Sequence, residues 1–436
     1  MKSSGTALMH PSDPRGSRSF LPVIDIERRF DEAVRAGRPE WLWFEVAEPD
    51  WAKAVATIET ALRDVLALGR SDDALIDDPV ALSIACYTSG TGPLLGSWVE
   101  QGKLTTTAAN AGILGIHLEH NRARMARLSE RAAIAVEALA KGGASPVMLK
   151  GMHTAHHYFD EPGQRIASDI DLLIGPGQLP VAAEILAKLG YQPGKSGFYQ
   201  CSWTMPEAAT RPLTLTFVHR DDPWSIDLHE SVTRKLAGGS HIVDIGTLIP
   251  SVALEKWGIS GAGGVFPPPL LLAHLLVHAG CSFESLTLQR QYEIALVIRK
   301  HGGRERFDWS AFTVLCDRAG LWPFLYPALC CAERLSPSLV PDPIMLRSRD
   351  AAPPMVQKLV ESHSAASIHR AARWSWTERF MWADGMLPRL RQLVDELGVP
   401  GHLNARELMQ AWQRRIYRQL RHAALKARGL FKRNAL

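Results

Sequence analysis

Two aspartates one residue apart open an apolar run, Arg165-Ile-Ala-Ser168-Asp169-Ile170-Asp171-Leu172-Leu173-Ile174, and this run constrains the chain more than any other segment. Side chains alternate with period two along a strand, so Asp169 and Asp171 share one face while Ile170 and Leu172 take the other. The apolar face has to be buried, which fixes two like charges side by side at the margin of a core. Such a pair is costly unless a cation sits between the carboxylates. Hard oxygen donors at this spacing suit Mg2+, which proteins commonly share with substrate phosphates. A solvated strand edge is the plainer alternative. A third acid supports the metal reading: Asp227 lies in the alternating segment Ser225-Ile-Asp-Leu-His-Glu230. A hairpin with a first strand over 213–218 and a turn over 219–224 could lay that segment beside the first. Three carboxylates around one or two metals serve phosphoryl or nucleotidyl transfer, because the metals neutralise phosphate charge and stabilise both oxygens of an in-line displacement.

The surroundings of this run change character along the chain. Over 50–78 and 110–141 apolar residues recur every three or four positions, which predicts helices. The turn cluster Gly142-Gly143-Ala144-Ser145-Pro146 then gives way to the short apolar run Val147-Met148-Leu149, which suits a buried strand. Between 145 and 232 the pattern predicts a strand, a helix near 153–158, the strand of the two aspartates, a helix over 179–189 ended by Gly190, and the hairpin. Helical periodicity returns over 270–278, 289–300, 310–319 and 322–334, followed by proline-rich linkers near 336–343 and 352–354. Gly90-Thr-Gly92-Pro-Leu-Leu-Gly96 lacks the spacing and the Gly-Lys-Ser/Thr of a Walker loop and reads as a plain loop.

At roughly 150 residues per domain, 436 residues allow about three domains, or one core with sizeable additions. With 46% apolar and 22% charged residues the chain can bury a real core, and a net charge of +4 is too slight to mark a nucleic-acid coat protein. That charge is uneven. Residues 405–436 carry nine Lys or Arg against Glu407, a net of +8, and Leu408, Met409, Trp412, Ile416, Leu420 and Leu425 give the same segment an apolar stripe. A basic amphipathic helix here could contact an anionic partner, a nucleic acid or a membrane surface, or pack on its own domain. The six cysteines show no CxxC spacing and read as reduced thiols. No apolar signal segment opens the chain, and the most apolar stretch, 266–279, is shorter than the roughly 20 residues of a membrane span and holds three prolines. A cytoplasmic protein is the expectation.

The order of these motifs resembles the DNA polymerase beta-like nucleotidyltransferase superfamily, with its Gly-containing turn, D-x-D strand and third acid on a later strand. More narrowly, Leu149-Lys150-Gly151, then Tyr158, Asp160, Pro162-Gly163, Arg165 and Ser168-Asp169-Ile170-Asp171-Leu172-Leu173, is similar to a bacterial family of uncharacterised nucleotidyltransferases. Leu189-Gly190-Tyr191, Ile226-Asp227-Leu228-His229 and the helical 274–300 region fit the same layout, so the resemblance spans about 110–335. It implies an α+β fold: a small mixed-sheet nucleotidyltransferase core flanked by helical N- and C-terminal regions. It further implies that Asp169 and Asp171 bind metal, that Asp227 completes the site and acts on the acceptor hydroxyl, and that Gly151 lets the backbone approach the nucleotide phosphates. Met152 and His153 follow that glycine where the superfamily has Gly or Ser. The expected reaction is Mg2+-dependent transfer of a nucleotidyl group from an NTP, ATP being one candidate, to a hydroxyl or phosphate. The acceptor is unknown; a peptide, a saccharide or a protein fits, since some family members sit in biosynthetic gene clusters. A non-catalytic nucleotide sensor or a partner-binding component is the alternative.

Around this core the expected organisation is a disordered leader at 1–20, a helical N-terminal region at 21–142 and the α+β core at 143–240. A helical region completing the cleft follows at 241–345, then a basic helical C-terminal region at 346–436. Lys150 and Arg165 are the cations nearest the carboxylates and could hold phosphate oxygens; pairing with Asp160 or Glu161 is the alternative for each. Ser168 could position the start of the strand. His229 shares a strand face with Asp227 and could touch the metal shell or the acceptor. His153 and His157, spaced i, i+4, suit zinc, a substrate contact or simple packing. His274 and His278 on an apolar helix read first as satisfied core histidines.

Overall fold

Alternation over 169–173 and 225–229 gives two strands with one apolar and one polar face, and burying both apolar faces together makes them neighbours. The computed structural model describes residues 47–196, 200–206, 220–236, 241–281, 283–368 and 381–382. The leader at 1–20, the hairpin strand at 213–218 and the basic tail at 405–436 lie outside the described residues.

Four helices lead to the sheet: α1 (Glu48–Leu68), α2 (Pro79–Ser89), α3 (Gly92–Glu100) and the 34-residue α4 (Ala108–Lys141). At 1.5 Å per residue α4 is about 51 Å long. Thr107 caps its first turn by accepting a bond from the Asn110 amide at 3.2 Å. Gly90 and Thr91 join α2 to α3, but from Gly92 on the glycine-rich segment expected as a loop is α3, and the reason is tertiary. A Cβ at Gly96 would lie 2.4 Å from the Leu114 carbonyl oxygen, so the glycine lets α3 press against the backbone of α4. Proline at the start of α3 costs nothing, because the first helical N–H groups have no partner inside the helix.

Next come β1 (Val147–Met148), α5 (Met152–His157), β2 (Asp169–Leu173), α6 (Leu179–Lys188), β3 (Gln192–Ser196), β4 (Gln200–Thr204) and β5 (Ser225–His229). A separate ribbon, β6 (Thr233–Leu236) with β7 (His241–Asp244), precedes β8 (Glu255–Lys256) and β9 (Gly264–Val265). The main sheet is mixed and has seven strands in the order β3-β4-β5-β2-β1-β9-β8. β2 and β5 run parallel, with Asp171 opposite Asp227 and Leu173 opposite His229. The antiparallel partner of β5 is β4. The helical segment that follows is α7 (Pro268–Gly280), α8 (Leu288–Lys300), α9 (Gly303–Arg306), α10 (Trp309–Ala319), α11 (Trp322–Leu335), α12 (Asp342–Ala351) and α13 (Pro354–Glu361). Pro343 and Pro354, expected within linkers, stand in the first turns of α12 and α13, where a missing N–H is harmless. The fold is α+β, with helices on both the N- and C-terminal sides of the strands.

Two cores lie on either side of the sheet. Ile170, Leu172, Ile226 and Leu228 pack with Met125, Leu128 and Leu139 of α4 and Leu186 of α6. Leu173, Val147 and Leu149, which point the other way, join the large helical core with Leu114, Leu271, Ile294 and Leu325. Each fully buried aliphatic side chain contributes roughly 1.5–3 kcal/mol, so this division fixes which face of β2 carries the carboxylates. Helix α4 reaches into both cores and ties them together. None of the six cysteines is in a disulfide. Among the described residues no helix is long and apolar enough to cross a membrane.

Candidate active site

The face of β2 and β5 turned away from the α6 core presents Asp169, Asp171, Asp227 and His229. Parallel register sets Asp171 directly beside Asp227, and period two brings Asp169 onto the same face. One oxygen from each of the three carboxylates lies within 4.8 Å of the others. Among the described residues they form the one cluster of three or more potential metal ligands. An all-oxygen set at this spacing fits a hard divalent cation such as Mg2+ and is unlike the nitrogen and sulfur donors typical of structural zinc. They line a cleft together with Lys150, Gly151, Arg165, Ser168 and His229. All eight site residues expected from the sequence thus border one cavity.

Electrostatics separate the three acids. Asp171 is buried, which works to raise its pKa, but the Lys150 ammonium and the His229 ring outweigh this and hold the carboxyl well below the usual range. Lys150 Nζ donates to Asp171 Oδ2, and His229 Nε2 lies 3.1 Å from Oδ1. Asp169 is pushed up instead, first by the neighbouring Asp171 charge and then by burial. Asp227 is held in place by Gln200, whose Nε2 donates to Oδ2, and by the Ser225 hydroxyl, which donates to Oδ1 at 2.9 Å. The Lys150 ammonium therefore rests where the like charges most need a cation.

Gly151 links β1 to α5 with φ 63° and ψ −91°, a conformation that a residue with a Cβ adopts only under strain. The nearest atom to a Cβ there would be Arg165 Nη1 at 3.6 Å, so the requirement is conformational and not one of space. Arg165 pairs with neither expected neighbour. Glu161 is taken by Arg122 and Asp160 by Lys103. Arg165 instead grips Glu293 of α8, both side chains being buried, and its Nη1 donates to the Ile166 carbonyl at 3.0 Å. Burial works to raise the pKa of Glu293, and the adjacent guanidinium more than offsets it, leaving it below the ordinary range. Ser168 is exposed at the head of β2.

Four lining residues escaped the sequence reading of this cleft or were read otherwise. Gln200 reaches Asp227 from the neighbouring strand, and Gln289, Arg290 and His278 reach the cleft from α7 and α8. Gln289 brackets the backbone of Ile166, accepting from its N–H at 2.9 Å and donating to its carbonyl at 3.1 Å. The signal for the α8 residues was the polar set Gln289, Arg290 and Glu293 at i, i+1, i+4 on an otherwise buried helix. His278, read first as a core histidine, lines the cleft, whereas His274 is buried edge-to-face on Phe266 at 5.8 Å. His153 and His157 stack at 5.5 Å. Burial, helped by His157, pushes His153 down to about 4, so this ring is neutral at physiological pH.

Arg124 of α4 fixes the approach to both carboxylate strands. Its guanidinium donates to the carbonyls of Ala167 (3.0 Å), Ser168 (3.4 Å), Asp222 (2.5 Å) and Pro223 (3.0 Å). One buried side chain therefore holds the residues just ahead of Asp169 against those just ahead of Ser225.

A family model described as uncharacterised nucleotidyltransferase matches residues 89–337, which takes in the acid strands and the α7–α8 side of the cleft. No curated protein and no solved structure matches the chain.

Proposed function

The chain belongs to the uncharacterised nucleotidyltransferase family and is a nucleotidyltransferase, and from that premise we propose that Asp169, Asp171 and Asp227 hold one or two Mg2+ for transfer of a nucleotidyl group from an NTP to a hydroxyl or phosphate of an acceptor. The observation that carries this reading is the register of Asp171 against Asp227, with Asp169 on the same face. When bound, the metal supplies charge neutralisation to the triphosphate and favours the ionised form of an attacking hydroxyl. Asp227, anchored by Gln200 and Ser225, takes the acceptor proton. The acceptor oxygen bonds to the α-phosphorus, the bond from that phosphorus to the bridging oxygen of the β-phosphate breaks, and pyrophosphate leaves. Gly151 keeps the β1–α5 turn open for the phosphates, Ser168 offers a hydroxyl at the cleft mouth, and His229 orients Asp171. Lys150, resting on Asp171, would stand beside the metal and lend positive charge to the phosphates, and Arg165 would lend positive field from behind. The helical side of the cleft would select the acceptor, for which the resemblance implies a peptide, a saccharide or a protein. Calorimetric titration of ATP, GTP, CTP and UTP with and without Mg2+ tests the proposal. Metal-dependent binding of an NTP, lost in Asp169→Asn/Asp171→Asn, is the expected result. A folded wild type that binds no NTP would overturn it.

A further inference from the structure

The cations around the cleft are not equivalent. Lys150 is committed to Asp171, His229 to the same carboxylate, and Arg165 to Glu293 and the Ile166 carbonyl. Arg290 differs. Among the described residues no carboxylate forms an ion pair with it; its Nη1 meets His278 Nδ1. A guanidinium is always a donor, so Nδ1 of His278 is the acceptor and carries no proton. The ring positions the guanidinium without neutralising it.

Burial and the positive field of Arg165 lower the pKa of Arg290, while Glu293, Asp169 and Asp171 act the other way, so the guanidinium sits in a poorly hydrated place within the field of the cleft's own carboxylates. It stays there because α8 is pinned. Gln289, the preceding residue, brackets Ile166, and Glu293, one turn on, grips Arg165. Arg290 therefore faces the three carboxylates from the helical wall of the same cleft, and Lys150, Arg165, His278 and Arg290 together also border a smaller recess behind it. A rigid guanidinium fork with no ion pair among the described residues, opposite a cluster of metal ligands, matches an anion with several oxygens.

We propose that Arg290, positioned by His278 and Gln289, is the subsite for the β- and γ-phosphates of the nucleotide and for the pyrophosphate that leaves. The inference rests on the transfer reading above and assigns it a residue. As the bond between the α-phosphorus and the bridging oxygen breaks, its electron pair passes to the pyrophosphate oxygen. Arg290 neutralises that charge without giving up a proton.

Inorganic pyrophosphate is the probe, because it needs no knowledge of the base. Calorimetric titration into the full chain in Mg2+ buffer should show binding to wild type that weakens about tenfold or more in Arg290→Gln, and by less in Arg290→Lys, which keeps the charge but loses the fork. Melting temperatures of both variants are measured alongside, and Arg290→Lys, which keeps a charge in the field of Asp169, Asp171 and Glu293, provides the comparison if Arg290→Gln melts lower. Equal pyrophosphate affinity in wild type and both variants overturns the subsite, as does wild type that binds Mg2+ and NTP but no pyrophosphate. The two readings fail separately. NTP binding that persists without the Arg290 effect removes only the subsite, whereas pyrophosphate binding through Arg290 with no NTP binding removes the transfer reading.

Discussion

The guanidinium of Arg165 and the carboxylate of Glu293 meet at two points, Nε to Oε1 at 2.8 Å and Nη2 to Oε2 at 3.2 Å, with both side chains buried. This pair ties the segment that leads into the aspartate strand to helix α8, 128 positions away in sequence. The face of the cleft built by β2 and the face built by α8 are thereby one rigid unit.

Breaking that pair from one side should be expensive. Glu293→Gln leaves a buried guanidinium without its counter-charge, for which about 3–5 kcal/mol is the usual cost. Replacing both partners by apolar residues, as in Arg165→Met/Glu293→Leu, should recover much of the loss, since the desolvation of the pair is then avoided. The folded-state pKa of Glu293 is depressed, so the pair's contribution is present above the ordinary glutamate range and is lost as pH falls through the depressed value. Urea denaturation of the three proteins at pH 7 and pH 4 measures all of this. A Glu293→Gln variant as stable as wild type at pH 7 would refute it.

The carboxylates should make the metal-free protein pH-sensitive in the opposite sense. The pKa of Asp169 is raised by Asp171 and by burial, so its ionisation opposes folding, and that penalty appears as pH climbs through the raised value. In EDTA at pH 7–8, Asp169→Asn should melt higher than wild type, by about 1 °C if about 1 kcal/mol of repulsion is relieved. The gain should shrink as pH falls and wild-type Asp169 takes up its proton. Adding Mg2+ should raise the wild-type melting temperature and leave the variant nearly unmoved. Scanning calorimetry across that pH range in EDTA and in Mg2+ decides the matter; a variant that is less stable than wild type in EDTA contradicts the repulsion argument.

Arg124 predicts a separation between folding and site geometry. Arg124→Lys keeps a charge but cannot reach four carbonyls at once, so some of those on residues 167, 168, 222 and 223 lose their donor. Each unsatisfied buried group costs roughly 1–3 kcal/mol. The chain should stay folded at low temperature but bind Mg2+ more weakly, because the starts of β2 and β5 are no longer held together. Metal titration well below the variant's melting temperature checks this, and unchanged Mg2+ affinity alongside reduced stability would limit Arg124 to a structural role.

The residues differ in how visible they were beforehand. The Asp169/Asp171 pair, the strand of Asp227 and the glycine turn at Gly151 were legible because each depends on neighbours within a few residues: period two, an apolar run, a residue free of a Cβ. The expected loop over Gly90–Gly96 failed for the complementary reason. Gly92 and Gly96 serve a close approach to α4, and nothing within the segment says that another helix will lie against it. Arg165 was placed at the cleft, but its partner was sought nearby in sequence and found in Glu293. Gln289, Arg290 and His278 gave only a weak hint, a few polar residues on helices that otherwise read as core.

The sequence by itself therefore determined the α+β class, the family resemblance and the three carboxylates, since local periodicity and spacing suffice to put Asp169 and Asp171 on one face. Tertiary structure decided that β5 lies parallel to β2 with Asp227 beside Asp171, that Lys150 rests on Asp171, and that α8 closes the cleft with Arg290. Those contacts join residues separated by tens to more than a hundred positions, and they are chosen by which apolar faces can be buried together, a competition among all the elements that leaves no periodic trace in any one of them.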